Sequence, residues 1–318
     1  MDIAASSALR GGLIMTSDIR RSGADIRQLR RLNDSGQLVR IRRGAYVATD
    51  VWRSSTSSER HLFRIRAAWT ELPSDAVFSH FSAAALQGLP LLGAWPTDVH
   101  VIGSRHRGGH SATGLRRHGT INPPAVVEVD GMLVTSVSRT VLDLARTISF
   151  RSAVVAADRA RTIDFRYRTE PLASLECLLE ELELVPRRSG RMRAERVITA
   201  STCLAGSPGE SLSRVMFLEL NVPMPVLQRR FVDREGELFT DFYWLEFDSI
   251  GEFDGKQKYF QPRYAAHLSP EQILWKEKLR QDRLIAFTPR IARWGWAIAN
   301  DPRSLVARLA TIGVHPIR

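Results

Sequence analysis

Apolar residues recur along this chain with two different periods, and the switches between them mark its elements. Ile26, Leu29 and Leu32 follow one another at three-residue steps between Gly23 and Gly36, the spacing of one helix face. A shorter helix ahead of them runs through Arg21, with Met15, Thr16, Ser17 and Asp18 at its start. Residues 38–47, L-V-R-I-R-R-G-A-Y-V, then alternate around a glycine and predict a β-hairpin with a basic tip. Helix, turn, helix and hairpin is the organisation of a winged helix.

Helical spacing returns in a helix through Trp69 and in a small-residue helix over 79–86 that ends near Gly88. Residues 98–102 predict a strand, 126–134 a hairpin turning at Asp130-Gly131, and Ser136 caps a helix carrying Arg139, Asp143 and Arg146. An apolar helix over 172–184 is closed by 186–189, and residues 190–205 run basic and then small, the composition of a linker. The expected domains are therefore 1–52, 53–185 and 207–318, joined by a linker at 186–206.

The last segment opens with Ser207 as a cap and Pro208 in the first turn of a helix that carries Glu210. Three strands follow, over 226–232, over 238–244 and up to Gly255, then a helix over 271–283, a strand over 290–296 and a helix capped at Asp301. Asp241 falls in the second strand, and the period of two puts Glu252 and Asp254 on one face of the third. An antiparallel pairing would set Asp241 beside them. Carboxylates gathered in this way repel unless a cation joins them, and oxygen donors suit Mg²⁺ or Mn²⁺, with Asp241 and Glu252 as the ligands.

Composition narrows the partners. The 318 residues include 45 Lys and Arg against 34 Asp and Glu, a formal net charge of +11, and arginine dominates the basic set. Arginine's planar fork fits phosphate oxygens and guanine edges, so nucleic acid is favoured over a neutral small molecule. No apolar run reaches membrane-spanning length and no signal-peptide pattern opens the chain, which places the protein in the cytoplasm and off the membrane. Cys177 and Cys203 have no metal-ligand spacing, and His106, His110 and His118 sit among arginines that would repel zinc. No phosphate loop, serine nucleophile elbow or dinucleotide fingerprint is present.

Two resemblances sharpen the reading. The run G-Q-L-V-R-I-R-R-G-A-Y-V after the two helices is similar to the N-terminal domain of AbiEi-type antitoxins of type IV toxin-antitoxin systems, and the following region resembles their second domain. That implies double-stranded DNA contacts from Arg27, Arg30 and Arg31 on the second helix and from Arg40, Arg42 and Arg43 on the wing. Arg105 and Arg107, in a Gly-rich basic loop, would track the backbone. A toxin partner is a further implication, as is a role in phage defence; winged-helix readers often pair on palindromes, which leaves the oligomeric state open between monomer and homodimer.

Asp241, Glu252, Lys256 and Lys258 resemble the PD-(D/E)xK nuclease core, in particular its Vsr-like branch. Glu210 would be the helix-borne acid of that family. The position two after Glu252 holds Asp254 where the motif has lysine, so the catalytic lysine would be Lys256 or Lys258. The fold expected from both resemblances is α+β: a winged helix-turn-helix, an α/β middle domain and a restriction-endonuclease-like αβββαβ core. Two functions follow: a Mg²⁺-dependent endodeoxyribonuclease using Glu210, Asp241, Glu252, Asp254 and one lysine, or a non-catalytic antitoxin and repressor.

Overall fold

The computed structural model describes residues 11–23, 25–103, 113–120, 123–163, 170–187, 190–255 and 269–317. Contacts gather the chain into two compact units, Met1–Ile148 with Glu176–Ala194, and Ser149–Leu175 with Glu195–Arg318. This grouping differs from the expected sequence boundaries. Residues 149–175 go with the C-terminal part, and the stretch expected to be a linker holds a ten-residue helix, Arg191–Ala200.

The first unit begins with β1 (Leu13–Met15), α1 (Thr16–Arg21), α2 (Ile26–Asp34), β2 (Leu38–Arg42) and β3 (Ala45–Ala48). Gly23 makes the interhelical turn at φ +75°, a conformation that costs glycine nothing, and the Asp25 carboxylate caps α2 by accepting from the Arg27 N–H. Ile14, Ile19, Leu29, Leu38 and Tyr46 close a small core beneath the two helices. β1 had no signal in the sequence: three residues are too short for a periodicity. It pairs antiparallel with β3, and Met15 rather than a polar side chain stands at the start of α1.

After α3 (Thr49–Ser54), α4 (Ser57–Trp69) opens with a reciprocal cap between Thr56 and Glu59. A five-stranded sheet follows, from β4 (Val77–Phe78), β5 (Val99–Gly103), β6 (Leu115–Gly119), β7 (Val126–Val129) and β8 (Met132–Thr135), in the order β6-β5-β4-β8-β7. Between and after these strands lie α5 (His80–Leu86) and α6 (Val137–Thr147). Phe78, Val99, Val101, Met132 and Val134 pack against Ile65 and Ala68 of α4 and Ala83 of α5. The chain then forms α7 (Phe150–Arg161), α8 (Leu175–Glu183) and α9 (Arg191–Ala200).

In the second unit, α10 (Pro208–Glu219) leads into β9 (Val226–Asp233), β10 (Gly236–Trp244) and β11 (Ser249–Phe253), then α11 (Pro270–Phe287), β12 (Ile291–Trp294), α12 (Trp296–Ala299) and α13 (Pro302–Ala310). Helix, three strands, helix and strand is the expected order. The sheet runs β12-β11-β10-β9, antiparallel except for the β11–β12 pair, which the intervening α11 makes parallel. Phe217 of α10 stands edge-on to Phe242, Trp244 and Trp294. Leu238, Tyr243 and Ile250 cluster instead with Leu284 of α11, so a helix covers each face.

Two glycines allow the close approach of α10 and of the indole rings. A Cβ at Gly209 would lie 2.0 Å from the Phe253 ring, and one at Gly251 would lie 2.6 Å from Trp294 and 2.9 Å from Trp244. Gly251→Ala is expected to lower stability by about 1–3 kcal/mol, the usual cost of forcing an extra carbon into a packed core. Chemical denaturation reads this directly; an unchanged midpoint would mean that the two indoles are not fixed against the strand.

Candidate functional site

The first surface is basic. Leu29 turns into the core with Ile26 and Leu32 behind it, so Arg27, Arg30 and Arg31, at i, i+3 and i+4, share the outer face of α2, and all three are exposed. Arg31 reaches back to Asp25 at 3.3 Å. On the hairpin, Arg40 and Arg43 are exposed, whereas the Arg42 guanidinium is 2.8 Å from the Glu71 carboxylate. Five of the six expected DNA-contacting arginines thus point outward, and Arg42 holds the wing to the loop after α4. Arg105 and Arg107 lie outside the described residues. Arg116 and Arg117 are exposed on strand β6.

The second site is the acid group. The β10–β11 register places Phe242 opposite Gly251 and Tyr243 opposite Ile250. Tyr243 and Ile250 face α11, as does Glu252 through its contact with Arg280, and Asp241 lies beside the Phe242–Gly251 pair on the neighbouring strand. The two residues thus stand on neighbouring strands. Their surroundings were not foreseen. Both Glu252 oxygens accept from Arg280 of α11, at 2.6 and 2.7 Å, and Arg293 of β12 lies 3.2 Å away. Arg280 also donates to the Phe239 carbonyl at 2.8 Å, and Glu277 stands 3.4 Å from Arg280 and 3.0 Å from Arg293. Two glutamates and two arginines close an alternating ring drawn from β11, α11 and β12.

Burial works against the Arg280 charge, but the hydrogen bond and charge of Glu252, followed by the charges of Glu277 and Asp241, outweigh it and raise its pKa. Asp241 keeps one oxygen on the Phe253 N–H at 2.8 Å. Asp254 is exposed just beyond β11, and Lys256 and Lys258 lie outside the described residues. Glu210 is buried on α10, where its carboxylate accepts from the Gly206 N–H, the Ser207 hydroxyl and the Gln228 amide, at 2.8, 2.9 and 3.0 Å. Gln228 lies between the β9 residues that pair with Thr240 and Phe242, which sets Glu210 toward the strand of Asp241.

A hard divalent ion needs carboxylate oxygens free to face it. With Arg280 on both oxygens of Glu252, the residues expected to hold Mg²⁺ or Mn²⁺ do not fit one, and among the described residues no three His, Cys, Asp or Glu side chains gather as a metal site.

A third cluster, histidine-rich, lies in the first unit. His80 stacks on His118 at 3.6 Å between ring centres, and His118 Nε2 is 2.9 Å from His100 Nδ1. His80 sits 3.7 Å from Asp143, which receives Arg139 and Arg146, while Arg139 also reaches Glu181 and Thr120. Burial is the main cause that drives all three histidine pKa values down, helped by neighbouring positive charge: His100 to about 3, His118 to about 4, and His80 well below its ordinary value. These rings are neutral at pH 7 and serve as packed hydrogen-bonding groups.

Comparison with known proteins bears on the basic surface. Residues 1–49 match the family model described as transcriptional regulator, AbiEi antitoxin. The AbiEi match covers α1, α2 and the hairpin and ends before the middle and C-terminal regions. The crystal structure of the RV2827C protein from Mycobacterium tuberculosis is similar to the chain at 14% identity and a TM-score of 0.37, over 73% of this chain and 87% of that one. No curated protein matches. The AbiEi resemblance thus holds for the segment that carries Arg27, Arg30, Arg31, Arg40, Arg42 and Arg43, and among the described residues no helix is long and apolar enough to cross a membrane.

Proposed function

We propose that the protein is a DNA-binding regulator of the antitoxin class, gripping duplex DNA with the outer face of α2 and the tip of the β2–β3 hairpin. The observation that carries this reading is the row Arg27, Arg30 and Arg31, exposed on the second helix of a helix-turn-helix whose sequence matches AbiEi regulators. Each arginine that neutralises a phosphate releases condensed counterions, so affinity falls with salt in proportion to the contacts made. Replacing all three by Ala is expected to weaken duplex binding and to reduce the slope of log affinity against log salt by about 0.9 per lost contact. Fluorescence anisotropy across a salt series measures both. Unchanged affinity and slope in a folded triple variant would refute the reading. A cognate toxin protein, and a role in phage defence, belong to the same proposal.

A second reading has its own observation. Asp241 and Glu252 stand on adjacent strands within a helix, three strands, helix, strand order, as a metal-dependent endodeoxyribonuclease of the Vsr-like kind would require. Glu210 and Asp254, with Lys256 or Lys258, would complete that site. The Arg280 contacts weigh against it. Plasmid cleavage with Mg²⁺ or Mn²⁺, set against EDTA and Glu252→Ala, decides between the two: cutting that needs both metal and Glu252 favours the enzyme, and binding without cutting favours the regulator.

A further inference from the structure

The ring around Glu252 has a property that neither reading uses. Its four charged members sum to zero, and they come from β11, α11 and β12, with Arg280 also bonded to the backbone of β10 at Phe239. Glu252 is almost fully buried, so its charge needs a permanent partner, and the guanidinium supplies one with the two-point geometry that matches a carboxylate. Arg280 also feels the charge of Asp241. We propose that Arg280 is the resident counter-ion of the Asp241–Glu252 pair: a positioning residue that fills the role of a divalent cation, ties α11 to the sheet and keeps Mg²⁺ or Mn²⁺ away from Glu252. This inference stands apart from the DNA-binding reading. It concerns the second unit alone, and it turns the nuclease reading into a question about one side chain.

Three features of the contact set favour a built clasp over a chance surface pair. Arg280 donates three bonds of 2.6–2.8 Å, two to Glu252 and one to the Phe239 carbonyl. Its neighbour Arg283 fixes the next turn of α11 through a two-point bond to Asp233 and a third bond to the Gly236 carbonyl. Glu277 stands one turn before Arg280 and braces both arginines of the ring. The helix face turned toward the sheet is thus charged where it meets the acids and apolar, at Leu284, where it meets Leu238 and Ile250.

Mn²⁺ binding to the full chain, followed by electron paramagnetic resonance without DNA, tests the idea. The wild-type protein is expected to leave Mn²⁺ free. Arg280→Gln should gain a site at least about tenfold tighter, a change of the size that groups around a metal exert on its affinity. Arg280→Gln combined with Glu252→Gln should lose that site again. Wild-type binding that Glu252→Gln removes would overturn the proposal, as would a folded Arg280→Gln protein that still leaves Mn²⁺ free. Should Arg280→Gln fail to fold, the wild-type melting temperature decides. A temperature unmoved by Mn²⁺ upholds the clasp; a rise that Glu252→Gln abolishes defeats it. None of these outcomes depends on whether the arginines of α2 bind DNA.

Discussion

Replacing Arg214 by Met is expected to destabilise the C-terminal unit by about 3–5 kcal/mol, the cost of leaving a buried charge without its partner. Asp158 on α7 is inaccessible to solvent and Arg214 on α10 nearly so, and the Arg214 Nη2 group donates to both carboxylate oxygens at 2.9 and 3.0 Å. Burial lifts the Asp158 carboxyl above its usual range, and Arg214 with the Thr202 N–H pulls the other way. Without the guanidinium the carboxylate must take up a proton or open the helix pair. The double variant Arg214→Met with Asp158→Leu is expected to recover only part of the loss, because the Thr202 N–H, which donates to Asp158 at 2.7 Å, would then have no acceptor. Urea titrations of the three proteins measure this. A single variant within 1 kcal/mol of wild type, roughly the worth of an exposed pair, would show that the ion pair is solvated rather than buried.

The second large effect is a loss of stability in mild acid. His61, bonded to the Pro96 carbonyl and Ser82, is held near pKa 4, chiefly by burial, as is His118, and His100 lies near 3. An unfolded histidine titrates near 6.5, so below that pH the unfolded chain binds protons that the folded chain refuses. The contribution of these residues is therefore intact above about pH 6.5 and is lost as pH falls toward 4. At pH 5 His61 and His100 each cost roughly 2 kcal/mol, and His118, whose ring is partly open to solvent, costs less, so that together they remove a large part of the stability of a typical domain. Denaturation midpoints at pH 7, 6 and 5 should fall steeply, and His118→Gln should make the fall shallower by about one proton. A flat profile over that window would mean that the rings accept protons in place.

Secondary structure was legible wherever one period ran long enough to be counted. The α2 face, the β2–β3 hairpin, the Asp130-Gly131 turn and the succession from α10 to α13, apart from the four-residue α12, follow from spacing and caps. Short strands escaped: β1, β4 and β6 are set by their partners rather than by their own alternation. α7 escaped as well, since its buried Ala-rich face gives little contrast between sides. For the acid site, the expected strands put Asp241 and Glu252 side by side on neighbouring strands. They could not reveal that Arg280, twenty-eight residues beyond Glu252, would take the place of an ion. The sole signal was the spacing of Glu277, Arg280 and Leu284, which share a helix face and mix charge with an apolar residue. The histidine cluster was equally hidden, because His80, His100 and His118 come from one helix and two strands that the tertiary fold alone brings together.

The assignment of α7 to the C-terminal unit has a consequence for how the protein is made. Asp158 leaves the ribosome fifty-six residues ahead of Arg214, and the first unit is itself incomplete until residue 194 has been translated. The apolar side of α7 must therefore wait, uncovered, while the chain finishes a different unit, and only then can α10 close over it. Dissection meets the same order. A fragment beginning at residue 207 would keep every acid of the Glu252 site yet leave Arg214 without its carboxylate, so the shortest independent piece carrying that site must also carry residues 149–175.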